Sequence, residues 1–365
     1  MQLIDHRLGH RLAPALFALG VLVTTAAAHA DTGFVSKLQV YSDSDRTTVV
    51  SPMVSATADL DPNTGASIGY VADVVSSASI DIVSQASPTT IHDTRHQLSL
   101  GGNHTSGDWT GRVGYSFSTE NDYRSNTGSL GIEKTFDDKN TTIGAGYNLS
   151  LNRVGRADDM NFSRDLTVQS LTFSWTQVIS PRTATQVTYE LGDASGFQAS
   201  PYRFVPVRAA VTDAPMYTVA ETDPDQRYRH AIVGAINHAV GKHGSVQADY
   251  RLYHDTWGIT SNTLGLRYFV DLSSRVELRL RSRLYQQNGT SFYQSNYATT
   301  LKYMTIDREL SPLWSETVGG KLMLKFGARA EAELKMDLFY YHYADFPALQ
   351  SRTGANIGLG VSIDY

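Results

Sequence analysis

Cysteine is absent from the chain, so neither disulfide bonds nor thiolate metal ligands can hold the fold together. Long apolar runs are also scarce. The run at residues 15–23 has about half of the roughly 20 apolar residues that a helix needs to cross a bilayer, and nothing longer follows it. The sequence therefore predicts no transmembrane helix after the N-terminal region. The fold must instead be stabilised by backbone hydrogen bonds and by burial of side chains.

An excess of basic charge is missing as well. The chain has 31 Lys and Arg against 36 Asp and Glu, a formal net charge of −5. Proteins that bind nucleic acid neutralise phosphates with clustered Lys and Arg. The composition therefore argues against a nucleic-acid partner.

Catalytic motifs are lacking too: there is no Gly-x-Ser-x-Gly elbow, no His-Glu-x-x-His pair and no phosphate-binding loop. The nearest histidine–acid neighbours are His254 with Asp255 and His342 with Asp345. Adjacent residues of a strand point to opposite faces, which weakens the first pair. We predict no enzymatic activity and no cofactor.

Paired acidic residues occur in four predicted loops, at residues 43/45, 120/122, 158/159 and 223/225. Carboxylate oxygens are the ligands that divalent cations such as Ca²⁺ prefer. The spacing is not that of an EF-hand loop, and charged residues in loops are usually solvated. The sequence therefore favours solvated loops over a metal site.

The first thirty residues have the features of a secretory signal peptide: Arg7 and Arg11, the apolar run, and the small-residue site Ala28-His29-Ala30. Cleavage is predicted between Ala30 and Asp31. Two regions follow from this interpretation, a cleaved signal peptide at residues 1–30 and one domain at residues 31–365.

Alternation of apolar and polar residues dominates that domain. In residues 142–152 every second side chain is apolar, which is typical of a strand with one lipid-facing and one wet face. Many such segments are about 10 to 15 residues long, the length that a tilted membrane-spanning strand needs.

Two strands carry charge on the face opposite to the apolar one, at residues 275–284 and 331–340. Four charges on one strand cannot be hidden in a small packed barrel. We therefore predict an aqueous or salt-bridged lumen, where the field of a constriction selects charged solutes or a salt-bridge network plugs the barrel. The predicted lumen residues are Arg267, Arg279, Arg281, Arg283, Glu331, Glu333 and Asp337.

Turns and loops alternate along the chain as in outer-membrane barrels. Tight, periplasmic turns are predicted at residues 61–65, 106–108, 137–140, 180–182, 241–244, 272–274 and 327–328. Longer, extracellular stretches are predicted at residues 82–94, 155–165, 197–226, 287–310 and 344–352. Residues 292–304 also alternate, but a strand there would break the alternation, so we place them in a loop.

The predicted fold is all-β: a transmembrane antiparallel up-and-down β-barrel of about 16 strands, with 14 to 18 allowed and both termini periplasmic. The last strand alternates up to the terminal aromatic residue, as expected of a strand recognised by the barrel-assembly machinery; its signal residues are Val361, Ile363 and Tyr365. Tyrosines near strand ends, including Tyr285 and Tyr343, suit the membrane interface.

Several short motifs stand in a characteristic order. They include YSDSDRTTVVSP at residues 41–52, ENDYR at 120–124, QASPYR at 198–203, DTWG at 255–258 and DRELSP at 307–312. Through these motifs nearly all of the chain after residue 30 resembles the domain of unknown function family DUF3570. The resemblance implies an outer-membrane barrel encoded near small lipoproteins, thioredoxin-like proteins and flavin transferases, and transfers no catalytic residue.

Two functions remain open. The first is a pore for small polar or charged solutes in the Gram-negative outer membrane, where lipid surrounds the barrel. The second is a scaffold or export partner for a periplasmic or surface protein, with the gene neighbours hinting at redox or flavoprotein maturation. The oligomeric state does not follow from the sequence.

Overall fold

The computed structural model describes residues 32–77 and 91–364. In this part of the chain, sixteen long strands form a closed barrel in which neighbouring strands are antiparallel. The barrel strands are β1 (Thr32–Asp43), β2 (Thr47–Asp61), β3 (Thr64–Ser77), β4 (Ile91–Ser106), β5 (Trp109–Thr119), β6 (Tyr123–Phe136), β7 (Thr141–Val154), β8 (Arg164–Ser180), β9 (Thr183–Gly196), β12 (Gln226–Val240), β13 (Gly244–Asp255), β14 (Thr260–Ser273), β15 (Val276–Gln287), β16 (Leu313–Phe326), β17 (Ala330–Tyr343) and β18 (Ser351–Asp364). Two short strands, β10 (Phe204–Val207) and β11 (Tyr217–Ala220), form a separate hairpin.

Closure comes from pairing of the first strand with the last. The β1–β18 register runs from Gly33 opposite Asp364 to Asp43 opposite Gly354. A closed barrel has no unpaired strand edge, and its backbone groups are all satisfied between strands, as a membrane requires. The predicted fold class and the strand number of about 16 are therefore confirmed.

The alternating sequence pattern decides which face of each strand is outside. On β7, Ile143 and Leu151 have more than half of their surface exposed, whereas the alternate positions between them, on the opposite face, are Gly144, Gly146, Asn148 and Ser150. The same division on the other strands produces an outer belt of exposed aliphatic and aromatic side chains. This belt is the lipid-facing surface of an outer-membrane barrel.

All seven predicted tight turns lie at one end of the barrel, together with the start of β1 and the end of β18. Glycines in the left-handed region make three of these turns possible, at Gly107 (φ 58°), Gly241 (φ 64°) and Gly327 (φ 71°). Short turns mark the periplasmic end of outer-membrane barrels. The opposite end is therefore extracellular.

The extracellular end differs from the prediction in two respects. Three of its connections, at residues 44–46, 120–122 and 256–259, are short and lack the long polar stretch by which the sequence predicts an extracellular loop. Residues 91–94 belong to β4 rather than to the predicted loop at 82–94, because they pair with residues 74–77 of β3. Residues 292–304 lie in a loop, as predicted.

Some predictions fall outside the described residues: the signal peptide, cleavage between Ala30 and Asp31, and the terminal Tyr365. Val361 and Ile363 lie in β18, on the face that alternates with Gly360 and Ser362. Within the described ranges, no helix combines the length and the hydropathy needed to cross a membrane.

Candidate functional site

The inward faces of β13 to β17 form a charged wall. Cross-strand partners share a face of the sheet, and Arg267 lies opposite Arg281. Arg279 lies opposite Lys321, which in turn lies opposite Lys335. These side chains alternate with exposed leucines of the outer belt, such as Leu280 and Leu284. The register therefore places the predicted arginines on the lumen side.

Three of the predicted arginines form ion pairs. Arg267 Nη1 lies 2.9 Å from Asp249 Oδ1, and Arg279 Nε lies 2.5 Å from Glu277 Oε1. Arg281 Nε lies 2.6 Å from Oδ1 of Asp337. The sequence predicted that the arginines face Glu331, Glu333 and Asp337, and the structure brings only Arg281 and Asp337 together as such a pair.

The other predicted acids have different neighbours. Glu333 contacts Lys37 at 2.8 Å across β18, and also Lys321. Glu331 lies opposite Lys325 in the register, and within the described ranges it has no ion pair. A belt of alternating charges therefore runs from β13 to β1 around one side of the lumen.

Asp337 occupies the most enclosed position in this belt, with 2% of its surface exposed. Besides Arg281, its carboxylate has Lys335 Nζ at 3.1 Å. Gly319 lies between Arg281 and Asp337 in the register, and a Cβ atom there would overlap Asp337 Oδ1. The missing side chain at Gly319 leaves the space in which this pair meets.

Arg283 differs from the other predicted arginines. Its guanidinium lies over the Tyr285 ring, 5.4 Å from the centroid, and among the described residues no carboxylate lies within ion-pair distance. Tyr285 is two residues from Arg283 and therefore shares its inward face. The prediction that Tyr285 lies at the membrane interface was wrong, because its strand position faces the lumen.

Aromatic rings form a ladder beside the charged wall, which the sequence did not indicate. Tyr41 stacks on Phe339 with centroids 5.3 Å apart, Phe339 contacts Tyr341 at 5.8 Å, and Tyr341 lies 6.3 Å from Tyr343. Phe346 continues the ladder at 6.2 Å from Tyr343. Tyr343 is 1% exposed, so it too was wrongly predicted at the membrane interface.

The ladder ends in a folded extracellular cap, made of residues 197–225, 288–312 and 344–350. Its core consists of Val205 and Val207 of β10 with Tyr297 and Met304 of the β15–β16 loop. Isolated bridges join Val207 to Tyr297 and Thr222 to Met304. Loops that leave the barrel at separate places are therefore packed into one unit.

A buried polar cluster joins the same two loops. Glu221, 5% exposed, accepts hydrogen bonds from the Thr305 hydroxyl at 2.5 Å and the Ser200 N–H at 3.0 Å. Arg203 Nη1 lies 3.0 Å from both Glu221 Oε2 and Asp307 Oδ2. One guanidinium thus holds carboxylates of both loops.

The cap is tied to the barrel rim at two distant points. Arg308 pairs with Asp45 in the β1–β2 turn, and the Tyr202 hydroxyl donates to Asp122 in the β5–β6 connection. Asp45 is 3% exposed, so the predicted solvated cluster at residues 43/45 is instead a buried docking point. The cap contacts therefore extend from the β1–β2 turn to the β5–β6 connection.

One carboxylate group at the rim has the spacing of cation ligands. Oxygen atoms of Asp93, Glu120 and Asp122 lie within 4.8 Å of one another. Asp93 Oδ1 accepts a hydrogen bond from the Asn121 side chain at 2.8 Å, and Asp122 accepts one from Tyr202. Hydrogen bonds within the chain thus engage two of the three carboxylates.

Asp223 in the cap has an unusual pKa. Burial, together with the neighbouring charges of Glu221 and Asp307, raises the pKa of the Asp223 carboxyl to about 7, although Arg203 and Arg227 act in the opposite direction. Burial likewise raises the pKa of Glu221. Folding of the cap therefore disfavours the charged form of both carboxyls.

We expect the cap to be better protected at pH 5 than at pH 8. A carboxyl whose pKa is raised by folding stabilises the folded state fully below its ordinary pKa, and this contribution is lost as the pH rises through the folded-state value. Amide hydrogen exchange of residues 217–225 measures the difference. Asp223→Asn should reduce the pH dependence, and equal dependence in both proteins would contradict the assignment.

The histidines considered as catalytic bases have structural surroundings. His254 Nδ1 shares a hydrogen bond with the Thr260 hydroxyl at 2.9 Å on the outer face. Asp255 lies on the opposite face, 1% exposed, where it pairs with Arg227. His342 packs beside the Trp314 ring at 6.0 Å, while Asp345 is an exposed residue of the β17–β18 loop.

Comparison with known proteins agrees with this architecture. The model of a family of unknown function, DUF3570, matches residues 79–167 and 156–359. The chain belongs to the DUF3570 family. This match confirms the resemblance that the order of the sequence motifs predicts. A search of curated proteins gives no match for this DUF3570 protein.

Solved structures similar to the DUF3570 chain are outer-membrane barrels. A bacterial polysaccharide outer-membrane secretin has a TM-score of 0.55 at 9% identity, covering 93% of this chain and 100% of the other. CdiB from Acinetobacter baumannii has a TM-score of 0.52 at 8% identity, covering 92% of this chain and 61% of the other. At such low identity the likeness concerns the fold, which is that of Gram-negative outer-membrane proteins.

Proposed function

We propose that this DUF3570 protein is an outer-membrane channel for small polar or charged solutes. The observation that supports it best is the exposure of paired charges on the inner wall. The side chains of Arg267 and Arg281 remain 41% and 43% exposed although both form ion pairs. A packed plug of salt bridges would bury these groups, whereas a water-filled lumen leaves them accessible.

The rest of the wall is also hydrophilic. On the inward faces of β6 to β8, the Thr127 hydroxyl donates to Ser150 at 2.9 Å and the Asn148 amide donates to Ser170 at 3.2 Å. Barrels of 16 to 18 strands are wide enough to enclose an aqueous channel. Water and polar solutes would therefore meet hydrogen-bonding groups on both sides of the path.

One observation favours the alternative of a scaffold or export partner. The cap encloses a pocket of about 490 Å³ lined by aromatic, proline and polar residues, among them Phe204, Pro206, Arg208, Tyr293 and Phe346. A folded extracellular unit with such a pocket suits recognition of another molecule. This function predicts a partner that is purified together with the barrel, and affinity isolation of the barrel alone would remove its support.

Proteoliposome swelling tests the channel proposal. Liposomes with the refolded protein should swell in isotonic solutions of small neutral sugars and charged amino acids, at rates that fall with solute size. Liposomes without protein provide the baseline. Swelling no faster than that baseline, from a barrel shown to be folded, would contradict a channel.

A further inference from the structure

We propose that the lumen wall contains a binding site for small oxyanions, formed by Arg251 and Arg283 with Thr263 and Tyr285. The proposal deepens the channel proposal by naming a solute class, because a ligand would reach these residues through the lumen. Its elements are two arginines without acidic partners, a buried hydroxyl without a partner and two supporting tyrosine rings.

The arginines of this wall differ in whether a carboxylate neutralises them. Arg267, Arg279 and Arg281 each have a carboxylate at 2.5 to 2.9 Å. Within residues 32–77 and 91–364, Arg251 and Arg283 have no such partner, although they lie on the same wall. Asp249, the acid that faces Arg283 across Gly265 in the register, is engaged by Arg267. Two positive charges are therefore uncompensated here.

The register places Arg251 and Arg283 close to Thr263. Thr263 on β14 lies opposite Arg251 on β13 and opposite Tyr285 on β15. Arg283 is also on β15, two residues before Tyr285. The two arginines are thus two strands apart, roughly 10 Å between the strand axes. Gly265, opposite Arg283, has no side chain, and the space above it holds the Asp249 carboxylate, whose charge Arg267 balances. The long side chains of Arg251 and Arg283 can therefore converge on one ligand above Thr263 rather than above Gly265.

A buried hydroxyl, that of Thr263, lies between the strands of the two arginines. Thr263 is 6% exposed, and its Oγ1 atom is buried without a hydrogen-bond partner. Buried polar atoms are nearly always satisfied, so an unsatisfied one requires an explanation. An oxyanion held by the arginines would provide the acceptor for this O–H.

The tyrosines keep the guanidiniums in place. Arg251 lies over Tyr253 at 5.2 Å and Arg283 over Tyr285 at 5.4 Å, a cation–π arrangement that orients the charge without neutralising it. The Tyr285 hydroxyl itself donates to Gln287 at 2.5 Å, which fixes the ring. The planar forks remain free to bind carboxylate or phosphate oxygens in pairs.

The ligand class follows from this donor set. Two separated guanidiniums and one hydroxyl match a solute with two negative charges better than a halide ion, which accepts no bidentate bond. Phosphate and dicarboxylates such as succinate share this chemistry. Arg229 also lacks an ion pair among the described residues, but it lies opposite Asp255, closer to the cap, and is not part of the site.

Titration of the chloride current with inorganic phosphate tests the site. Phosphate should reduce the current of the native channel in a saturable way, and Arg251→Gln with Arg283→Gln should raise the half-blocking concentration at least tenfold. Arg279→Gln with Arg281→Gln removes the same charge from arginines whose acidic partners, Glu277 and Asp337, do not face Arg283, and should change the half-blocking concentration less than threefold. Equal effects of the two double variants would overturn the proposal.

Binding measured without conduction separates this site from the channel proposal. Calorimetric titration of the detergent-solubilised, folded barrel with phosphate or with succinate should show binding that the Arg251/Arg283 variant loses. If a non-conducting barrel still binds in this way, the channel fails and the site stands. If neither anion binds to a conducting barrel, the site fails and the channel stands. Binding of succinate alone would assign the site to carboxylates.

Discussion

Asp337→Ala should shift the ion selectivity of the proposed channel towards anions more than any other single substitution in the lumen. The carboxylate of Asp337 contacts both Arg281, at 2.6 Å, and Lys335, at 3.1 Å. Its removal leaves two cations facing the lumen without their shared partner. A unit charge about 4 Å from a permeating ion contributes about 1 kcal/mol even in bulk water.

The change acts on anions and cations with opposite sign, so their energies differ by about 2 kcal/mol, which corresponds to about a thirtyfold rise in the anion-to-cation permeability ratio. The reversal potential in a tenfold KCl gradient measures this ratio. The double variant Asp337→Ala with Arg281→Gln has the native formal charge and should return most of the way to the native value. An unchanged reversal potential in Asp337→Ala would show that ions do not pass this wall.

Arg308→Ala should release the β15–β16 loop from the barrel rim. Arg308 and its partner Asp45 are both buried, with side chains 9% and 2% exposed, and Arg308 also lies over the Tyr343 ring at 5.8 Å. Removal of one partner from a buried pair typically costs about 3 to 5 kcal/mol. Since 1.4 kcal/mol is a factor of ten, local opening should increase about a hundredfold or more.

Amide hydrogen exchange of residues 288–312 measures this opening. Arg153→Ala is the matched control, because Arg153 pairs with Asp165 at 3.0 Å while both side chains are largely exposed. Exposed pairs contribute about 0 to 1 kcal/mol, so protection should hardly change there. Equal protection of the cap in the Arg308→Ala and native proteins would contradict a docking role for the buried pair.

The face of each strand could be predicted from the sequence because it depends only on a period of two. Residues 275–284 alternate leucine with charged side chains, and no knowledge of neighbouring strands is needed to assign the charges to the lumen. The positions of the tight turns could also be predicted from local sequence, because glycine, aspartate and asparagine mark a turn within a few residues.

The partners of those charges could not be predicted, because a partner depends on register. Arg281 and Asp337 meet through Gly319 on the intervening strand. Arg279 instead pairs with Glu277 on its own strand, two residues away. A shift of one residue in either neighbour would move every side chain to the other face, and the sequence alone does not fix such shifts.

The folding of the cap could not be predicted from the sequence for a related reason: it depends on contacts between distant segments. Strands β10 and β11 have four residues each, and Pro206 lies inside the first. Prolines and short segments indicate a loop, which was the prediction for residues 197–226. The folding of this loop depends on contacts with Tyr297 and Met304, which are distant in the chain.

The single-channel conductance of the refolded chain of residues 31–365 in a planar bilayer tests the proposed channel function most directly. The lumen wall of accessible, paired arginines predicts a steady conductance that Arg279→Ala and Arg281→Ala change in size or ion preference. A barrel that is shown to be folded, yet stays silent in the bilayer, would contradict the channel and direct attention to the cap and its partners.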